Sequence, residues 1–147
     1  MARRLTVADV CAVTGYSRDE LHALLRILPP YNLERPAPRV AREFSAKDLL
    51  VLSVTQVLED RYGIRRAAVG EIGLQLQEVL GGPRLQGEGQ HLTVTINPPS
   101  VLITEPSEQK DGLILPLEPL YEKIDAYLSY DPQLSLQFGP TIVRKYG

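Results

Sequence analysis

Residues 6–21 read TVADVCAVTGYSRDEL, and this stretch decides how the first part of the chain folds. It places a small residue at Cys11, a glycine at Gly15 and a leucine at Leu21. The spacing suits two short helices that cross at a steep angle, because only a small side chain fits at the crossing and glycine suits the corner between them. The stretch therefore has the spacing of a helix-turn-helix.

The helix starts are marked by capping boxes, in which a Ser or Thr caps the first amides and an acid three residues later reaches back to the N–H of the cap. Three such pairs occur, each directly before an apolar-periodic segment: Thr6 with Asp9, Ser17 with Glu20, and Ser45 with Asp48. With the apolar spacing that follows, they predict helices at about 7–14, 18–28, 46–62 and 65–80. Gly63 is expected to adopt a left-handed conformation at the end of the third helix.

The segment YNLERPAPRVAREF, residues 31–44, separates the second and third helices. Its prolines at 36 and 38 forbid a helix and suit a short extended hairpin or loop. It carries Arg35, Arg39 and Arg42 against Glu34 and Glu43. A basic loop in this place after a helix-turn-helix has the character of a wing.

A glycine-rich break at 81–90 separates the helical part from a β-rich one. The alternation in HLTVTI, which sets Leu92, Val94 and Ile96 against two threonines, predicts a half-buried strand, and SVLITE predicts a second one. A helix beginning near Pro119 then has an apolar stripe of Leu120, Ile124, Tyr127 and Leu128. We therefore expect an α+β, mainly helical fold with three parts: a winged helix-turn-helix domain at 1–82, a linker at 83–90, and a β-β-α unit with a tail at 91–147.

The composition, with 44% hydrophobic residues in 147, is that of an ordinary globular chain. No apolar run is long enough for a membrane span, and the basic start lacks the apolar region of an export signal, so we expect a cytoplasmic protein that does not bind membranes. Charge is uneven: residues 1–47 have eight Lys and Arg against five Asp and Glu, whereas residues 85–147 have four against eight. This asymmetry favours an anionic partner for the front of the chain only.

Catalysis has little support in the sequence. Neither His22 nor His91 has an acid or a nucleophile at the spacing of a known motif, and zinc, thiol, serine-hydrolase and phosphate-loop motifs are missing. The single cysteine, Cys11, excludes an intrachain disulfide, and its apolar helical surroundings predict a buried small residue. We expect no enzyme activity, no metal and no cofactor.

The first 80 residues resemble the MerR-like winged helix-turn-helix regulators. The resemblance rests on the stretch at 6–21, on REFSAKDLLVL at 42–52, which matches the junction between wing and helix, and on YGIRRAAVGEI at 62–72, which matches a glycine followed by a short fourth helix. It implies that the second helix reads the major groove of double-stranded DNA while the wing lies on the backbone. On the matching positions, the DNA-binding residues are Ser17, Arg18, Asp19 and His22 on the helix, and Arg39 and Arg42 on the wing.

The chain departs from this family in two places. His22 and Ala23 stand where the family usually has an arginine and then an aromatic residue, so the bidentate hydrogen bonds of that arginine cannot form here. The long dimerisation helix of the family is also missing, since Gly81-Gly82-Pro83 interrupts the chain where that helix begins. Metal or redox sensing through the cysteines of the family is not implied.

Two functions remain open at this stage. One is a sequence-specific transcriptional regulator that binds DNA as a homodimer; the other is a protein-interaction module, such as an adaptor or an antitoxin-like protein, built on the same scaffold. In either case the C-terminal unit is expected to hold a second copy or a protein partner. An edge strand at Leu92, Val94 and Ile96 and the stripe of Leu120, Ile124, Tyr127 and Leu128 are the expected contacts. The alternative for the stripe is burial within one chain.

Overall fold

A computed structural model describes residues 4–34, 41–82, 89–105, 107–108 and 111–129. These residues form a mixed α+β structure of six α-helices and one three-stranded antiparallel sheet. The helices are α1 (Val7–Thr14), α2 (Arg18–Leu25), α3 (Ala46–Asp60), α4 (Arg66–Glu71), α5 (Gly73–Leu80) and α6 (Glu118–Ser129), and the strands are β1 (His91–Ile96), β2 (Pro99–Thr104) and β3 (Leu113–Pro116). None of the helices in this part of the chain has the length and apolarity needed to span a bilayer.

All three predicted capping boxes are confirmed. Thr6, Ser17 and Ser45 each accept from the backbone N–H three residues on, and the acid at that position accepts from the backbone N–H of the cap. The backbone of Gly15 is left-handed, with φ of 85°, and its N–H donates to the carbonyl of Cys11, which ends α1. Helices α1 and α2 therefore begin and end where local hydrogen bonding directs them.

The later helix boundaries differ from the prediction. The second helix ends at Leu25, and the third ends at Asp60 with Gly63 left-handed at φ 67°, as expected of that glycine. The predicted fourth helix is two helices, because the backbone leaves the helical region at Ile72. The break lets Gly73 approach the segment after the second helix closely: a Cβ at Gly73 would lie 2.9 Å from the carbonyl oxygen of Pro29.

The sheet corrects two predictions about the C-terminal unit. Its strand order is β2-β1-β3, so β1, which holds Leu92, Val94 and Ile96, is the central strand and not an edge strand. Leu113–Pro116 forms the third strand, pairing Leu115 with Leu92 and Leu113 with Val94. The unit is therefore β-β-β-α. The sequence did not reveal β3 because a run of four residues is too short to establish a period of two.

One hydrophobic core joins the helical part to the sheet. Leu92, Val94, Val101 and Leu115 on the sheet belong to the same buried cluster as the apolar residues of α1, α2 and α3. Helix α6 packs against α3 and α1, with Ile124 buried and Leu120, Tyr127 and Leu128 partly buried against that core. The apolar stripe of α6 is thus packed within the chain, which is the alternative to dimerisation. The sequence predicts that Cys11 is buried. Its side chain is only half-buried, because it lies at the margin of the same core.

Side-chain hydrogen bonds also join the parts that the sequence predicts as separate domains. The amide of Gln75 on α5 accepts from the N–H of Val101 at 3.0 Å and donates to the carbonyl of Pro99 at 3.2 Å. The Gln75 side chain therefore makes hydrogen bonds with the backbone of β2 that resemble those of an adjacent strand. The glycine-rich segment that we predicted as a linker lies mostly outside the described residues, since only Gly89 and Gln90 of it are described.

Two buried tyrosines tie the front of the chain to α3. The hydroxyl of Tyr16 donates to Oε1 of Glu59 at 2.6 Å, and Glu59 also accepts two hydrogen bonds from Arg66 at 3.0 and 3.3 Å. The hydroxyl of Tyr31 donates to Asp48 and accepts from Gln77. Burial raises the pKa of both tyrosines above their ordinary value, and the neighbouring carboxylates raise it further.

The close approach at Gly73 predicts a large effect of one methyl group. In Gly73→Ala the new Cβ meets the carbonyl oxygen of Pro29, which belongs to the backbone and cannot rotate away. We expect a loss of about 1–3 kcal/mol in the free energy of unfolding, measured by urea denaturation. The control is Gly82→Ala, because nothing lies within 4 Å of a Cβ at Gly82. Equal stabilities of the two variants would contradict the packing described here.

The two tyrosines also predict alkaline instability. A hydroxyl whose pKa is higher in the folded state than in the unfolded state contributes stability that is complete below about pH 10 and is lost as the pH rises. Tyr16→Phe combined with Tyr31→Phe should lower stability near pH 8 by about 0.5–1.5 kcal/mol per hydrogen bond removed, and should make the further loss above pH 10 smaller. Urea denaturation at both pH values measures this. Tyr62→Phe, at a half-exposed ring, should leave the alkaline loss unchanged.

Candidate nucleic-acid interface

The basic residues predicted on the second helix and near the wing meet at one groove. A cavity of about 480 Å³ is lined by residues 6–8 at the start of α1, by Arg18 and His22 on α2, and by residues 41–42 before α3. Arg18 and His22 are four residues apart, so they lie on the same face of α2. Both are exposed. The fold therefore brings Arg18, His22 and Arg42 to one concave surface.

A second cavity, of about 300 Å³, lies beside the first. It is lined by His22, Leu25 and Arg26 of α2, by Arg42, and by Tyr31, Asn32 and Glu34. His22 and Arg42 line both cavities, so the two cavities adjoin at these side chains. We call the combined surface the basic groove.

Arg26 is a residue of the basic groove that the sequence reasoning missed. It follows α2 directly with a helical backbone, at φ −70° and ψ −22°, and it is exposed. Because it lies four residues after His22, it continues the row formed by Arg18 and His22. The four-residue spacing was the signal in the sequence that could have identified it.

Arg42 has a definite partner in the folded chain. Its Nη1 lies 3.2 Å from Oε2 of Glu34, and its side chain is 21% exposed whereas that of Glu34 is 57% exposed. An ion pair with one partner this exposed contributes little to stability. Another anion can therefore displace Glu34 from Arg42 with little loss of folding free energy. The carboxylate of Asp48, another acid near the start of α3, accepts from Ser45 and Tyr31. Arg39 lies outside the described residues.

A backbone bridge holds the Arg42 segment beside the start of α1. Leu5 and Phe44 exchange two backbone hydrogen bonds of 3.0 and 2.9 Å, and both residues are buried. On the surface next to this bridge, Arg4 donates to Glu43 at 2.9 Å. The segment that carries Arg42 is thus fixed to the residues immediately before α1.

The beginning of α2 is less basic than its end. Ser17 uses its hydroxyl to accept from the N–H of Glu20 at 3.1 Å, and the N–H of Ser17 donates to Glu20 at 2.8 Å. The hydrogen bonds that the backbone N–H and the side chain of Ser17 make with the Glu20 carboxylate lower the pKa of Glu20. Asp19 is exposed between Arg18 and Glu20. Of the four residues predicted on this helix, Arg18 and His22 line the basic groove, whereas Ser17 serves as the cap and Asp19 brings a negative charge to the exposed surface.

Within the described part of the chain, no three His, Cys, Asp or Glu side chains come together in a way that could hold a metal ion. Comparison with protein-family models gives no match, and comparison with curated protein sequences gives none.

Proposed function

We propose that the chain is a sequence-specific DNA-binding transcriptional regulator. In this proposal α1 and α2 form a helix-turn-helix, α2 lies in the major groove, and the segment before α3, with Arg39 and Arg42, is a wing on the phosphate backbone. The observation that carries the proposal is the meeting of Arg18, His22 and Arg42 at one groove beside the start of α1. The resemblance of the first 80 residues to MerR-like regulators supports the same assignment.

The chemistry of these side chains suits duplex DNA. Arginine can bind the O6 and N7 atoms of guanine with two hydrogen bonds, and an exposed arginine on a helix can reach a base edge in the major groove. We assign Arg42 and Arg26 to phosphates, which fix the register of a protein on DNA without choosing its sequence. One helix-turn-helix reads only a few base pairs, so we propose that two copies bind half-sites about 34–36 Å apart.

A protein-interaction module is the second candidate, and the outer face of the sheet favours it. Leu102 and Ile114 lie opposite Thr93 on its two sides and are 48% and 46% exposed. Exposed apolar side chains on one face of a sheet can contribute to a protein-binding surface. Retention on heparin and on duplex DNA at increasing salt separates the two candidates, because release of counterions makes DNA binding strongly salt-dependent.

The direct test of the proposal is selection of binding sites from a pool of random duplexes by the intact chain. An enriched sequence, bound more tightly than random duplex of the same length and salt, supports a sequence-specific regulator. A mobility shift with the DNA that flanks the coding region of the protein then tests the biological target. Failure to enrich any sequence, together with no retention on random duplex at low salt, would exclude the DNA-binding proposal.

Arg18→Ala tests base reading by α2. If Arg18 contacts a base edge, the change should cost about 1–3 kcal/mol on the selected site and less on random duplex. Fluorescence anisotropy with both duplexes measures the difference. Arg61→Ala is the control, since Arg61 is exposed at the end of α3 and lines neither cavity. An equal loss on both duplexes would make Arg18 a phosphate contact.

Arg42→Ala tests the binding of the phosphate backbone. It should weaken binding to selected and random duplexes alike and reduce the slope of log K against log salt by about 0.9 for each phosphate that Arg42 neutralises. Lys123→Ala on α6 removes the same charge from a different exposed surface and should leave the slope unchanged. An unaltered slope in Arg42→Ala would remove Arg42 from the interface.

A further inference from the structure

A hydrogen bond from the C-terminal helix reaches the start of α1, beside the basic groove. The hydroxyl of Tyr127 on α6 donates to Oδ1 of Asp9 at 2.6 Å, across 118 positions of sequence. The other oxygen of that carboxylate, Oδ2, accepts from the backbone N–H of Thr6 at 2.8 Å and from its hydroxyl at 3.0 Å. Asp9 therefore binds α6 with one oxygen and the cap of α1 with the other.

The cap of α1 is itself part of the groove wall. Thr6 and the two residues after it line the larger cavity, together with Arg18 and His22. Leu5, the residue before the cap, is bridged to Phe44 by two backbone hydrogen bonds, and Arg42 lies two residues before Phe44. A displacement of Asp9 would thus move residues 6–8, which line the groove. It would also move the Arg42 segment through the Leu5–Phe44 bridge.

The Tyr127 bond has the strength needed for such a role. A hydrogen bond to a carboxylate is stronger than one between neutral groups, and Tyr127 is partly buried, so water competes with it less than at an open surface. The ring is fixed by its packing against the core, together with Ile124 and Leu128 of the same helix. Asp9 is consequently held by a group that belongs to the C-terminal unit.

We propose that Tyr127 is a positioning residue for DNA binding. Its hydroxyl holds the start of α1, and through the Leu5–Phe44 bridge the Arg42 segment, in the arrangement that accepts DNA. An event that draws α6 away from α1 then weakens DNA binding without any contact between the C-terminal unit and DNA. This inference rests on the proposed DNA-binding function and adds the route by which the C-terminal unit regulates it.

Tyr127→Phe keeps the ring and removes only the hydroxyl. At a temperature where the variant is fully folded, we expect the affinity for the selected duplex to fall by about three- to tenfold, the range for removal of one hydrogen bond whose effect is partly transmitted. The salt slope should fall with it, as for a weakened phosphate contact at Arg42. In the free protein, the amide resonances of Thr6, Ala8 and Phe44 should shift.

Gln75→Ala is the matched control. This substitution removes two hydrogen bonds that join α5 to β2. Gln75 does not line the groove. It should lower the stability of the chain while leaving the DNA affinity, the salt slope and those three amide resonances unchanged. An equal loss of affinity in both variants would mean that general destabilisation is the cause, and would overturn the inference.

A double-mutant cycle tests the route through Asp9. In an Asp9→Ala background, Tyr127→Phe should cause no further loss of DNA affinity, because the carboxylate that accepts from the Tyr127 hydroxyl is absent. Additive losses would overturn the route. If the unmodified chain binds DNA and Tyr127→Phe binds equally well, this inference fails alone; if the unmodified chain binds no duplex, the proposed function fails as well.

Discussion

The structure depends on carboxylates that each serve two elements at once. Asp48 caps the start of α3 with one oxygen and accepts from Tyr31 with the other, and Asp9 does the same for α1 and Tyr127. A capping carboxylate is already fixed by the backbone N–H that it accepts from, so a tyrosine that binds its second oxygen loses little additional freedom in forming the bond. Tyr31 and Tyr127 are thereby held at the starts of α3 and α1, which the local capping boxes already fix.

The helical part and the sheet share a continuous core, with α3 at its centre. Helix α3 is buried along most of its length, and elements from both ends of the chain pack on it. Its start is held by Tyr31 and its end by Tyr16 through Glu59. The C-terminal unit has a sheet of only three short strands and one helix, and sheets of this size need a packed face to be stable. Helix α5 packs against β2, and α3 packs against α6.

The sequence predicted what is encoded locally and missed what is encoded by contact. The three capping boxes, Gly15 and Gly63, and the presence of the strands β1 and β2 were all predictable, because each depends on residues within a few positions of one another. The break at Ile72, the strand at Leu113–Pro116 and the central place of β1 depend on partners far away in sequence, so no local sequence pattern predicts them.

For the candidate site, Arg18, His22 and Arg42 were predicted and do meet at one groove, whereas Arg26 was missed. The bond from Tyr127 to Asp9 spans 118 positions and has no local signal at all.

The pairing of Arg42 with Glu34 bears on how a chain of net charge −2 could select DNA. A phosphate that approaches Arg42 must replace Glu34, and the displaced carboxylate then lies near the anion and repels it. This exchange lowers affinity for any duplex equally, since the backbone is the same in all sequences. Asp19 and Glu20 beside Arg18 act in the same direction. In the proposed DNA complex, with the uniform electrostatic attraction reduced, a larger share of the binding free energy comes from the contacts that Arg18 and His22 are proposed to make with base edges. In the proposed complex, the acids beside Arg42 and Arg18 thus favour specificity over affinity, and two joined copies would recover the affinity.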